Sequence, residues 1–175
     1  MKDLDDQIVK IASGDTAALE TLYERTKTAV YGLAISIVKH PQDAEDVMQD
    51  TYIRIYEGSG KYRPQGKPMA WIFTITRHLA LDKVRANPGR ELPLEDEWIP
   101  DPKADFSEST LDRMVLQTVL EELSEDERQI VILRSVEQLK HREIAQILGI
   151  PLGTALSKYR RSLSKLRKKL EGKGK

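Results

Sequence analysis

Nine Lys or Arg side chains and one acid, Glu171, lie between Pro151 and Lys175. Wound as a helix at about 100° per residue, this stretch sorts into two faces. Thr154, Ser157, Lys158, Arg161, Ser164, Lys165 and Lys168 fall on one. Ala155, Tyr159, Ser162 and Leu166 fall on the other, flanked by Leu152, Leu163 and Leu170. The first face combines cations that neutralise phosphates with hydroxyl and guanidinium donors that suit base edges. Arg161 sits at its centre, one turn after Ser157, and Arg160 lies toward the other margin beside Leu156. Arg can bond two acceptors on guanine at once, whereas Lys acts mostly as a point charge. Leu156 stands at the edge of the apolar face, where contact with a thymine methyl and simple packing are both open.

Two further clusters invite chemistry. Asp43, Asp46, Asp50, Arg54 and Glu57 fall within about 80° of one another on one helix, with Ala44, Met48, Tyr52, Ile55 and Tyr56 opposite. Such a stripe fits a docking face for a basic or polar helical partner, a metal site, or plain solvation. No His lies on it, and no second acidic helix of matching pattern completes a cage. The other cluster joins a loop, with Lys61, Tyr62, Arg63, Gln65 and Lys67, to a helical stripe of Trp71, Thr74, His78, Asp82 and Arg85. Aromatic rings interleaved with cations and amides suit single-stranded nucleic acid, the rings stacking on bases while the cations follow phosphates. The competing assignment for Trp71 and Phe73 is the core of a small bundle.

The elements that must position these residues are all helical. Ile144, Ala145, Ile147 and Leu148 form the apolar face of a short helix. Gly149 follows, where a left-handed cap is cheapest for glycine, and Pro151 suits the first turn of the next helix. Two helices joined by a tight glycine turn make a helix-turn-helix, whose second helix can enter a DNA major groove. Earlier in the chain the spacing predicts helices over about 3–12, 15–39, 42–57 and 68–85, with Asp15 capping the second. A helix over 111–123 and another opened by a Ser124/Glu127 capping box precede the helix-turn-helix. No strand alternation appears.

Charge divides the chain into three parts. Residues 1–86 carry 12 basic and 12 acidic side chains, residues 87–109 carry 2 and 7, and residues 110–175 carry 14 and 9. The middle stretch is rich in Pro and acid and reads as an extended linker between two all-helical domains, 1–86 and 110–175. With no Cys in 175 residues, a disulfide framework and Cys-ligated metals are excluded. No signal peptide and no apolar run of membrane-spanning length is seen, so a cytoplasmic protein without membrane insertion is expected. No P-loop, paired-His metal motif or other catalytic constellation appears, and neither enzymatic activity nor a cofactor is expected.

DAEDVMQDTYIRIY, then KYRPQGKPMAWIFTITRHLALDKVR, an acidic linker and REIAQILGIPLGT together resemble the extracytoplasmic-function (ECF) sigma factors, the compact two-domain members of the bacterial sigma family. The resemblance runs from about Asp15 to Leu170. It implies a transcription initiation factor that binds RNA polymerase core and directs it to specific promoters. By it, 1–86 is region 2 and 110–175 is region 4. Asp43, Asp46, Gln49, Asp50 and Arg54 become polymerase-binding. Lys61 to Lys67 and the stripe from Trp71 to Arg85 become the surface that opens the minus-ten element as single strands. Thr154, Leu156, Ser157, Lys158, Arg160, Arg161, Ser164, Lys165 and Lys168 become the reader of the minus-thirty-five duplex. An anti-sigma factor is an implied further partner. The chain departs from the family's common residues at Leu156, where a basic side chain is usual, and at His78, where Asn is common.

Two rivals remain at this level: a helix-turn-helix regulator that binds duplex DNA without polymerase, and an all-helical metal-dependent nucleotide pyrophosphohydrolase using the carboxylates of 43–57. The first would normally bind duplex DNA alone as a dimer, and nothing here looks like a dimerisation coiled coil or a ligand pocket; the second has no use for a basic helix-turn-helix.

Overall fold

The computed structural model describes residues 2–87, 123–137 and 139–172, and these contain seven α-helices and no strand. Most of the acidic linker and the helix expected over 111–123 lie outside the described residues. The chain divides into two compact units, Met1–Pro93 and Leu94–Lys175.

The first unit holds α1 (Lys2–Ala12), α2 (Thr16–Val38), α3 (Pro41–Gly58), a 3-10 turn (Ser59–Lys61) and α4 (Pro68–Ala86). Asp15 caps α2 as its sequence predicts, accepting a hydrogen bond from the Ala18 N–H at 3.1 Å. From Ala29 to Ile37 every residue of α2 is buried. A helix that is apolar on all sides belongs at the centre of a bundle, and α1, α3 and α4 pack around this one. Phe73, Ile72, Leu22, Leu33 and Ile55 fill the space between them, so Phe73 is a core residue.

Buried hydroxyls are satisfied locally or across helices. Thr26 donates to the Leu22 carbonyl at 2.7 Å, and its Oγ1 lies 2.7 Å from the Tyr52 hydroxyl, linking α2 to α3. Thr51 bonds the Val47 carbonyl and reaches Thr76 of α4 at 3.4 Å. Unpaired, each would cost about 1–3 kcal/mol.

The second unit holds α5 (Glu125–Glu137), α6 (His141–Leu148) and α7 (Leu152–Gly172). Ile130, Leu133, Ile144, Leu148 and Ala155 form its core. Gly149 adopts φ +66°, and the Ile150 N–H returns to the Ala145 carbonyl at 3.0 Å, which closes α6 and turns the chain into α7. Pro151 stands just before α7, its carbonyl accepting from the Ala155 N–H at 3.1 Å, so it opens the helix from outside the first turn.

Candidate nucleic-acid interface

The α6–Gly149–α7 unit is a helix-turn-helix, and α7 displays its polar face much as the winding predicts. Ser157, Arg160, Arg161, Ser164 and Lys168 are exposed, and Thr154 and Leu156 are half-buried. Among the described residues Arg160, Arg161 and Lys168 have no ion-pair partner. The hydroxyls of Thr154, Ser157 and Ser164 thus stand on the same polar face as the Arg161 guanidinium, with Arg160 at its margin, a layout that can contact bases and phosphates together.

Two of the expected phosphate donors are engaged elsewhere. Lys158 lies 2.5 Å from Asp126, and Lys165 lies 2.7 Å from Glu127. Both acids belong to the first turn of α5, whose helix dipole favours negative charge there. The sequence pattern Ser124/Glu127 predicts only a capping role for Glu127. Its carboxylate does accept from the Ser124 N–H at 3.0 Å, but it also reaches across to α7. Burial works to raise the Glu127 carboxyl, yet the hydrogen bonds from Lys165 and Ser124 outweigh it and hold it below the usual carboxylate range. These lysines therefore fasten α7 to α5 before they meet any phosphate.

The apolar face of α7 is narrower than expected. Ala155 and Ser162 are fully buried, with Tyr159 and Leu166 packed on Leu123 and Val131. Leu152 and Leu163, expected to flank it, stay 46% and 45% exposed. Tyr159 meets His141 edge-to-face at 4.9 Å. Burial, with Arg134 and Arg160 nearby, lowers the pKa of His141 where it joins α6 to α7.

In the first unit the acidic stripe of α3 breaks into two parts. Asp43 is buried rather than displayed, and it lies 3.7 Å from Lys83 of α4. Asp46 receives the same ammonium at 2.7 Å. The bond to Asp46 is the main cause raising the Lys83 pKa. An ammonium thus stands between the two carboxylates where a cation site would need vacancy, and among the described residues no group of His, Cys, Asp and Glu suits a metal. Gln49, Asp50 and Arg54 are exposed, Arg54 pairing with Glu57 at 3.3 Å. Beside them stand two apolar side chains that sequence reasoning missed or misplaced. Ile53 is 55% exposed, and Tyr56, expected on the buried side, is 48% exposed. At about 100° per residue Ile53 falls roughly 60° from Asp50, next to Asp46 at the margin of the polar side, which is the signal for its exposure.

The loop and α4 form a separate surface. Lys61, Arg63 and Gln65 are exposed, as are His78, Asp82 and Arg85, while Lys67, Trp71 and Thr74 are half-buried. Asp82 and Arg85 pair with each other at 2.9 Å, and Thr74 bonds the Ala70 carbonyl. Tyr62 is not the free stacking ring that its sequence setting suggests. Its hydroxyl donates to the buried carboxylate of Asp5, and its ring packs on Trp71 at 4.7 Å.

Known proteins share this arrangement. The family model for sigma-70 region 2 matches residues 22–88, and that for sigma-70 region 4 matches residues 113–166. The ECF RNA polymerase sigma factor SigK of Mycobacterium sp. (strain KMS) is 28% identical over 165 residues, covering 90% of this chain and 86% of the relative. ECF sigma factor SigE of Mycolicibacterium smegmatis is 34% identical over 170 residues, covering 89% of this chain and 64% of its own. In fold, the chain is similar to sigma factor RpoE from Bartonella quintana, solved with the anti-sigma factor NepR (TM-score 0.67, 22% identity, 87% and 96% covered). It is also similar to CnrH, solved with the cytosolic domain of CnrY (TM-score 0.65, 21% identity, 97% and 98% covered). With a bundle matching region 2, a helix-turn-helix matching region 4 and relatives along nearly its whole length, the chain belongs to the ECF sigma factors, transcription initiation factors that bind RNA polymerase core and direct it to promoters.

Proposed function

We propose that the two units divide the work of initiation, residues 1–86 gripping polymerase and opening the minus-ten element, residues 110–175 reading the minus-thirty-five element as duplex. The intervening acidic stretch would lie in a cleft of polymerase built for nucleic acid. Arg161, Arg160, Ser157 and Thr154 select bases, and Lys168 acts on phosphates. Lys158 and Lys165 do so only in competition with Asp126 and Glu127. The observation that supports this division is the exposed, unpaired guanidinium of Arg161 at the middle of the second helix of a helix-turn-helix.

Polymerase docking falls to Gln49, Asp50 and Arg54 with Ile53 and Tyr56 among them. Asp43 and Asp46 contribute by holding α3 to α4 through Lys83. An apolar pair ringed by polar groups has the composition of a protein interface rather than of a solvated face. The protein performs no chemistry itself, and it acts in the cytoplasm; no described helix is long and apolar enough to cross a membrane. An anti-sigma factor is a fitting further partner, since the similar RpoE was captured with one. Titrating labelled protein with core polymerase tests the docking surface. Asp50→Lys and Ile53→Asp should each weaken core binding at least tenfold while the helical content stays native. Unchanged affinity in both folded variants would remove α3 from the interface.

A further inference from the structure

A buried acid in α1 reaches the loop assigned to strand opening. Leu4, Ile8 and Ile11 are the buried apolar side chains of α1, and Asp5 is buried with them. Burying a carboxylate is costly unless it is hydrogen-bonded. Its place in the first turn of α1 offsets part of that cost through the helix dipole. Its bonding partner is the Tyr62 hydroxyl, 57 residues away in sequence.

Tyr62 is the first residue after the 3-10 turn, with extended backbone (φ −65°, ψ 134°) and its N–H bonded to the Ser59 carbonyl at 3.0 Å. Its ring lies on Trp71 at 4.7 Å, tilted by 46°. Trp71 in turn sits against the end of α3, close enough that a Cβ on Gly58 would lie 3.6 Å from its ring. At the far end the loop enters α4 through buried Pro68. Between these anchors Arg63, Pro64, Gln65 and Gly66 are exposed. Buried Pro68 anchors one end, and the Asp5–Tyr62 bond with the Trp71 contact anchors the other.

We propose that Asp5 is a positioning residue for promoter opening: by holding Tyr62 on Trp71 it fixes the loop 62–67 in the shape that receives the unpaired strand. This rests on the assignment of that loop to the minus-ten strand. The α1 helix thereby takes part in opening without touching DNA. Loop order that exists before binding does not have to be acquired during it, so the bond lowers the cost of capturing a strand.

The test is permanganate reactivity of minus-ten thymines in holoenzyme–promoter complexes, with core affinity, duplex binding and thermal midpoint measured on the same variants. Tyr62→Phe keeps the ring and removes the bond, and Asp5→Ala removes the acceptor. Each should reduce opening by about tenfold, the effect of a lost hydrogen bond to a charged group, and leave core affinity unchanged. The double variant should be no worse than either single one, because both break the same bond. Asp5→Asn keeps an acceptor oxygen and should restore most of the opening. Normal opening in Tyr62→Phe, multiplicative losses in the double variant, or losses that only follow the unfolded fraction would overturn the proposal. Arg63→Ala and Gln65→Ala separate the two claims. If they impair opening while Tyr62→Phe does not, the loop assignment stands and Asp5 has no part. If neither they nor Tyr62→Phe matters, the loop assignment itself has failed.

Discussion

Arg161 and Lys165 are one turn apart on the same helix, carry the same charge, and differ in what already holds them. Arg161→Ala removes an exposed donor from the centre of the polar face. It should cost about 1–3 kcal/mol of promoter affinity and relax preference at one or two base pairs. Lys168→Ala should weaken all promoters alike and lower the salt slope of binding by about one unit. Lys165→Ala should change the salt slope less, because its ammonium is committed to Glu127; equal slopes for the two variants would show that the ion pair opens on DNA. That pair also gives a pH signature. Glu127 is held below its ordinary value near 4.5, so its contribution is complete above that pH and drains away as the pH falls through the folded value. Protection factors of the α5 and α7 amides, corrected for the intrinsic exchange rate, should fall over that acid range, and Glu127→Gln should flatten the response. Winding α7 located Arg161 from sequence, but no periodicity within one helix could show that Asp126 and Glu127 face Lys158 and Lys165 from another.

Helices were the most legible level. Apolar spacing and the breakers at Gly14 and Pro41 place the four helices of the first unit to within a residue or two, and Gly149 marks the turn between the last two helices of the second. The faces were less legible, because a helical wheel assigns a side and says nothing about which neighbour covers it. Asp43 and Asp46 share the winding of Asp50, yet α4 brings Lys83 against the first two and leaves the third in solvent. Asp46→Lys should therefore destabilise the first unit by setting two ammonium groups together, whereas Asp50→Lys should leave its thermal midpoint unchanged. Lys83→Met should cost about 1–3 kcal/mol, the loss expected when a partly buried carboxylate is left without its charged donor. Equal midpoints for all three variants would deny the brace. The turn of the helix-turn-helix has its own test. A side chain at φ +66° costs roughly 1–2 kcal/mol, so Gly149→Ala should lower the stability of the second unit by about that amount, and Gly149→Asn by less. An unchanged midpoint for Gly149→Ala would mean that the turn relaxes.

At the scale of the molecule, zero formal charge conceals a neutral bundle, an acidic stretch and a basic end. That distribution is visible only by segment. The order of motifs carried the family assignment from sequence, and the matches to regions 2 and 4 carry it independently. Contacts such as Asp5 with Tyr62 were invisible, since 57 residues separate partners that no local pattern relates. On the reading proposed above, this chain turns core polymerase into a promoter-selective enzyme through Arg161 and its neighbours. The most direct measurement is run-off transcription from a randomised promoter library, with core polymerase and either wild-type protein, Arg161→Ala or Lys168→Ala. Wild type should yield a defined promoter set, Arg161→Ala a changed base preference in the upstream element, and Lys168→Ala uniformly weaker output with the same preference. No selective transcripts with wild-type protein, or an upstream preference altered by Lys168→Ala and untouched by Arg161→Ala, would contradict it.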